Sequence, residues 1–172
     1  MGVLRVTGSV VAAATMALGT LGTAPPAQAV APDLNGTFSS TSNGQYAKTN
    51  DVFKDERTVI ETWIIATTCK SPIECSGEVR SSGGWTAPIV WDGDFWTIRR
   101  VVPNWEPCPD GTFAEGHQQF MMWGTNPVSN ERRFEYTDLL VGRNLTQSVS
   151  GSCGINKNLQ IDMPVRVDKL SS

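Results

Sequence analysis

Strand patterns dominate this chain, and helical patterns are nearly missing. The clearest strand covers residues 159–168, where apolar side chains at every second position alternate with polar residues, as in a strand with one buried and one exposed face. Pro164 interrupts this segment and has no N–H for a central ladder. We therefore predict that this strand lies at the edge of a sheet or is bulged at the proline.

Four further segments are rich in β-branched, aromatic or apolar residues and are predicted strands: 58–69, 78–81, 117–123 and 133–141. Residues 103–116 carry three prolines and two glycines, a composition that is unfavourable for regular structure, so we predict a long loop there. Residues 151–158 are predicted to form a second loop.

Two dipeptides predict hairpins. The DG at 92–93 tolerates the positive φ values of a two-residue turn, and this register places Ile89 opposite Trp96. The register collects the large apolar residues of both strands on one face, which a slip of one residue would undo. The NG at 43–44 predicts a second hairpin at the rim of the fold.

About eight short antiparallel strands, with turns at this spacing, predict an all-β fold made of a single antiparallel domain. Two architectures remain open at this point. One is a small barrel, closed or clam-like, and the other is a sandwich.

The four cysteines predict two disulfides, because an even number of cysteines in an exported domain is most often paired. Three pairings are possible. Cys69 and Cys75 bracket a short connection that contains a proline, so a bridge between them is sterically easy and leaves Cys108 to pair with Cys153. The second bridge would staple the two predicted loops together. The paired CxxC spacing of a structural zinc site is missing, so no metal is predicted.

The first 29 residues have the composition of a signal peptide. Arg5 supplies a positive charge, residues 6–22 are apolar, and Ala27 and Ala29 are the small residues that a signal peptidase reads. We predict cleavage after Ala29, which leaves residues 30–172 as one secreted β-rich domain, in the extracellular medium or the cell envelope. The apolar stretch is short for a membrane span, and no transmembrane segment is predicted in the mature chain.

The charge balance argues against polyanionic partners. Arg5 is the only charged residue of the leader, so the mature chain has one basic residue fewer than the 14 of the full sequence, against 17 acidic residues. No basic run is longer than two arginines, whereas nucleic-acid binding uses lysines and arginines to neutralise phosphates. We therefore predict no nucleic-acid partner.

Known catalytic and cofactor motifs are missing from the sequence, so no catalytic residue and no cofactor are predicted. His117 is the only histidine, and no Gly-x-Ser-x-Gly elbow accompanies it. Cys153 lies in a GSCG segment similar to a nucleophile loop, but a cysteine in a disulfide has no thiolate. Asp92 and Asp110 precede glycines, and turn formation explains both without a function.

The predicted loop 103–116 is the candidate ligand-binding site. Its prolines reduce the entropy lost on ordering, and the inferred disulfide holds it against a second loop. Trp105, Glu106, Asp110 and His117 bring varied chemistry close together, so we take them as candidate binding residues. The alternative is that Trp105 closes one end of a barrel and is structural.

Four features of the mature chain occur together: PNWEPCPDG at 103–111, GSCGINKNL at 151–159, SGGW at 82–85, and the pair of Cys69 and Cys75. This combination resembles a group of small secreted proteins of mycobacteria and related actinobacteria, and the likeness covers most of the mature chain. The resemblance implies a location in the cell envelope or the culture fluid. It supplies no catalytic residue to carry over.

Three classes of function fit the sequence. The first, which we expect, is a secreted non-enzymatic domain whose stapled loops bind a protein partner or an envelope component. The second is a barrel that carries a small apolar ligand, with Phe120, Met121, Met122 and Trp123 as possible wall residues. The third is an enzyme of unrecognised type. A lined interior cavity would favour the second class.

Overall fold

The computed structural model describes Gly2 and residues 32–171, so the predicted signal peptide lies almost entirely outside the described residues. Eight strands close into an antiparallel barrel, in which each strand pairs with two neighbours. In order round the barrel they are β1 (Asn35–Ser42), β4 (Val59–Ser71), β5 (Glu74–Ser81), β6 (Thr86–Trp91), β7 (Trp96–Pro107), β8 (Phe113–Gly124), β9 (Leu139–Ser148) and β10 (Gln160–Ser171). Two short strands, β2 (Lys48–Thr49) and β3 (Val52–Phe53), form a small ladder attached to β10.

The predicted all-β antiparallel fold is confirmed, and of the two architectures left open the structure is the closed barrel. β10 pairs with both β1 and β9, so the prediction that it lies at an edge is wrong. Pro164 is tolerated in a central strand because β1 ends beside it. Ser42, the last residue of β1, pairs with Val165, and the N–H of Asn43 donates to the Pro164 carbonyl.

One end of the barrel is filled by a hydrophobic core, because alternate side chains of each strand point inward. This packed end carries the β4–β5 and β6–β7 turns. Its fully buried side chains include Phe38, Ile65, Ile89, Trp96, Ile98, Met122, Leu140 and Val167.

The β6–β7 hairpin differs from its predicted register by two residues, since Trp91 rather than Ile89 pairs with Trp96. The turn is longer because the Asp92 carboxylate accepts the backbone N–H groups of Phe95, at 2.8 Å, and Asp94, at 3.0 Å. These hydrogen bonds, that from Phe95 foremost, hold the pKa of Asp92 below its ordinary value. A shift of two residues keeps every side chain on its predicted face.

The predicted hairpin at residues 43–44 is wrong. The side chain of Asn43 accepts the N–H of Gln45 at 3.0 Å and caps a single 3-10 turn, Gly44–Tyr46. This local hydrogen bond turns the chain away from β1, and the following strand β2 pairs with β10 instead.

The predicted loop 103–116 is mostly strand, because β7 and β8 extend into it from both sides and leave only residues 108–112 as the turn. A bulge in β7 between Val102 and Glu106 accommodates Pro103, and Asn104 within it has a positive φ of 51°. Pro107 is the last residue of β7, and Pro109 lies in the turn. A bulged segment does not need the ladder N–H that proline lacks.

The predicted strand 133–141 is wrong in its first part, because β9 begins only at Leu139. The preceding connection is held against the β6–β7 turn. The guanidinium of Arg132 forms an ion pair with Asp94 and lies over the Phe95 ring, 4.5 Å from its centroid.

Both disulfides join the cysteines that the spacing favours. Cys69–Cys75 bridges the β4–β5 hairpin at the packed end. Cys108–Cys153 joins residues 108–112 to residues 149–159, the connection between β9 and β10. These two segments are called the stapled loops below.

Candidate functional site

The end of the barrel that carries the stapled loops, called the open end here, has a polar interior. On β7, the buried Ile98 is followed at the next inward position by Arg100, and on β1 Phe38 is followed by Ser40. Seven polar side chains of the strands line the interior there: Ser40, Ser42, Glu61, Arg100, Gln118, Asn144 and Thr146.

These side chains surround a cavity of about 330 Å³. Small-molecule sites usually have volumes of about 300–1,000 Å³, so the cavity is at the lower end of that range. Apolar side chains complete its walls: Trp63 and Phe120 towards the core, and Val102, Trp105 and Met163 nearer the open end. An eight-stranded barrel is just wide enough for one small ligand when its interior is not filled by side chains.

The floor of the cavity is an aromatic cluster fixed by Glu61. The rings of Trp63 and Phe120 meet edge to face with centroids 5.0 Å apart, and those of Trp63 and Trp85 are 5.6 Å apart. The Glu61 carboxylate accepts the indole N–H of Trp63 at 3.0 Å and of Trp85 at 3.3 Å, and the Ser81 hydroxyl at 2.9 Å. Three donors therefore already occupy this carboxylate.

A chain of hydrogen bonds crosses the cavity wall from β7 to β1. Arg100 Nε donates to Gln118 Oε1 at 2.6 Å, Gln118 Nε2 donates to Asn144 Oδ1 at 2.9 Å, and Asn144 Nδ2 donates to Ser42 Oγ at 3.0 Å. Arginine can only donate, so its bond fixes the orientation of the Gln118 amide and, through it, that of Asn144.

Arg100 links this chain to the aromatic floor. Its guanidinium carbon lies 4.4 Å from the centroid of the Trp85 ring, a cation–π contact. Burial lowers the pKa of Arg100 from its ordinary value, and the negative charge of Glu61 opposes this effect. Arginine nevertheless stays charged at physiological pH. The two terminal nitrogens of Arg100 make no hydrogen bond to any described residue.

Trp105 is half-buried at the mouth of the cavity, next to Gly116 of β8. A Cβ atom on Gly116 would lie 2.7 Å from the Trp105 ring, so the glycine leaves the space that the indole occupies. Arg57, in the connection before β4, also lies at the mouth and is exposed, without an ion pair to the described part of the chain.

The structure does not gather the four predicted binding residues at one place. Asp110 is exposed in the 108–112 turn, where its carboxylate accepts the hydroxyl of Thr112 at 2.6 Å and its N–H at 3.0 Å. These bonds lower the pKa of Asp110. Glu106 on β7 has one buried carboxylate oxygen without a hydrogen-bond partner among the residues described.

His117 lies on the outer surface of the barrel. It is exposed, and its Nε2 is 3.2 Å from a carboxylate oxygen of Glu115. The next residue, Gln118, points into the cavity, because successive side chains of a strand face opposite sides. His117 and Trp105 are therefore on opposite faces of the β7–β8 pair.

The four predicted wall residues also divide between the two faces. Phe120 and Met122 are buried inside the barrel, with Phe120 on the cavity floor. Met121 and Trp123 alternate with them and face outward. Four consecutive strand residues cannot line one interior.

Sequence reasoning missed Glu61, Arg100, Gln118 and Asn144. A signal for them was present, since Arg100 comes two residues after Ile98 and so continues the same face of the strand. A polar residue at the end of an apolar alternation is easily taken as the end of the buried face.

One group of possible metal ligands occurs in the described part of the chain, formed by Asp33, Cys69 and Cys75. The two sulfur atoms are joined in a disulfide and are not thiolates, so the group is not a metal site in this oxidation state.

Comparisons with known proteins show the fold. The chain is similar to the monomer form of the Mycobacterium tuberculosis PknI sensor domain, with a TM-score of 0.58 and 14% sequence identity, over 87% of this chain and 92% of that one. No family model and no curated protein matches the chain. No helix within the described residues has the length and apolarity needed to cross a membrane.

Proposed function

We propose that this chain is an exported, non-enzymatic binding domain that holds a small ligand in the cavity at the open end of its barrel. The observation that carries the proposal is the change from an apolar to a polar interior along the strands. A buried Val or Leu contributes about 1.5–3 kcal/mol, so seven inward polar side chains give up much core stability. Polar groups that the core does not need are typical of binding sites.

Export is the second part of the proposal. It is supported by the leader composition of residues 1–29, by the two disulfides, and by the resemblance to secreted actinobacterial proteins. The fold shared with a mycobacterial sensor domain agrees with a binding role. N-terminal sequencing of the mature product should begin at Val30, and a chain that stays in the cells and still starts at Met1 would refute export.

A second candidate is the binding of a protein or envelope component by the stapled loops. The observation that favours it is the exposure of apolar side chains on or beside these loops: Phe113 at 58%, Val149 at 53% and Ile155 at 48%. Such side chains at the rim of the open end could contact a large partner.

A titration with a neutral apolar probe tests the cavity. N-phenyl-1-naphthylamine, whose fluorescence rises in apolar surroundings, is added to the wild type, to Val102→Trp and to Val101→Trp. Val102 lines the cavity, whereas its neighbour Val101 is 49% exposed on the outer face. An inward indole should fill the space, so we expect Val102→Trp to weaken probe binding about tenfold or more. The matched Val101→Trp variant should bind like the wild type.

Two results contradict the cavity proposal. One is a wild type that does not bind the probe, which leaves the stapled-loop candidate. The other is equal probe binding by both tryptophan variants, which places the probe on the outer surface. Circular dichroism of both variants verifies that the barrel has formed.

A further inference from the structure

Resting on the proposed function, we infer that the ligand is a small organic acid, with an apolar and preferably flat body and one carboxylate that binds Arg100. The inference depends on which hydrogen-bonding groups of the cavity are already paired and which are free.

The free groups are donors. Of the five N–H groups of the Arg100 side chain, only the one on Nε has a protein acceptor among the described residues, the Gln118 amide oxygen. The terminal N–H groups of a guanidinium form a planar fork that matches a carboxylate. Arg100 lines the cavity, so a ligand there lies within reach of its side chain.

The other end of the hydrogen-bond chain also offers a donor. Because Asn144 Nδ2 donates to Ser42 Oγ, the Ser42 oxygen acts as an acceptor and its own proton remains available. Ser42 lines the cavity. Both ends of the chain therefore favour a ligand that accepts hydrogen bonds.

The carboxylates of the cavity, in contrast, are occupied. Glu61 accepts three hydrogen bonds from Trp63, Ser81 and Trp85. Glu56 accepts the Thr49 hydroxyl at 3.1 Å and lies 3.7 Å from the ammonium of Lys54. Both carboxylates that line the cavity therefore have protein partners, whereas an anion meets Arg100 inside and Arg57 at the mouth. Glu106, whose buried oxygen has no partner among the described residues, is not part of this lining.

The walls determine the body of the ligand. Trp63 and Phe120 on the floor and Trp105 at the mouth present aromatic surface, on which flat apolar groups pack well. About 330 Å³ accommodates one or two fused rings with a carboxylate, and not a long acyl chain.

The test uses two probes of nearly the same shape, 2-naphthoate and its neutral analogue 2-naphthamide, measured by isothermal titration calorimetry. We expect the wild type to bind the carboxylate at least about tenfold more tightly than the amide. Arg100→Gln should remove most of this preference, and Arg100→Lys should keep part of it. The matched control is Arg99→Gln, because Arg99 is the exposed neighbour on the same strand. It should retain the preference.

The outcomes separate this inference from the proposed function. If both probes bind with similar affinity, the ligand class is wrong while the cavity proposal stands. If neither probe binds, the cavity proposal fails as well. A preference that Arg99→Gln abolishes and Arg100→Gln does not would place the anion outside the barrel and overturn the inference. If Arg100→Gln does not fold, Arg100→Lys tests the same contact, and an undiminished preference for the carboxylate in that variant would overturn the assignment to Arg100.

Discussion

At the scale of single residues, the shape of the cavity depends on a glycine. Gly116 is buried and faces the indole of Trp105, with Thr146 on the other side. The absent side chain allows the large ring at the mouth to lie against the strand. One residue without a Cβ thus determines where the largest side chain of the rim is placed.

Gly116→Ala should therefore displace Trp105. The new Cβ would lie 2.7 Å from the inner ring atoms of the indole and 2.9 Å from Thr146 Cγ2, distances at which atoms must move. We expect a loss of about 1–3 kcal/mol in the free energy of unfolding, as for overpacked cores. In a Trp105→Ala background the same change should cost clearly less, because the main clash is gone. Chemical denaturation of the four proteins measures this coupling, and equal costs in both backgrounds would mean that Trp105 does not pack on Gly116.

Residue identity alone could not predict the polar interior. Arg100 and Gln118 have ordinary strand neighbours in sequence, and only the pairing of β7 with β8 places them opposite each other. The hydrogen bond between them depends on how the strands are aligned, and the contact of Arg100 with Trp85 does too. The sequence singles out Trp105 because it lies in a proline-rich segment.

At the scale of elements, period-two alternation predicted faces better than it predicted register or length. The hairpin around residues 92–95 is displaced by two residues, yet its apolar face is correct, because an even shift preserves the alternation. The turn itself was mispredicted because the Asp92 carboxylate caps two backbone N–H groups. An Asp-Gly pair occurs in turns of two and of four residues, so it does not determine the length of the turn.

Prolines were the main source of error in the elements. Prolines usually exclude central strands, yet β10 contains Pro164 and β7 contains Pro103 in its bulge. In both places the ladder is interrupted for another reason, the end of β1 or the bulge, so the missing N–H costs little. Sequence does not show where a partner strand ends.

At the scale of the whole molecule, the barrel combines a packed end with an open one. The packed end carries the Cys69–Cys75 bridge and the large buried side chains. The open end carries the cavity, and Cys108–Cys153 ties two of its loops together. This disulfide restrains both loops before a ligand binds, so less conformational entropy is lost on binding. The stability of one end thus supports a preformed site at the other.

The most direct test of this account is a crystal structure of the secreted chain with 2-naphthoate. We expect the carboxylate within hydrogen-bonding distance of the terminal nitrogens of Arg100, and the naphthyl rings between Trp63, Phe120 and Trp105. A ligand found only on the outer surface of the barrel, or a cavity filled by Trp105 with no room for the ligand, would contradict the claim that the open end is a binding site.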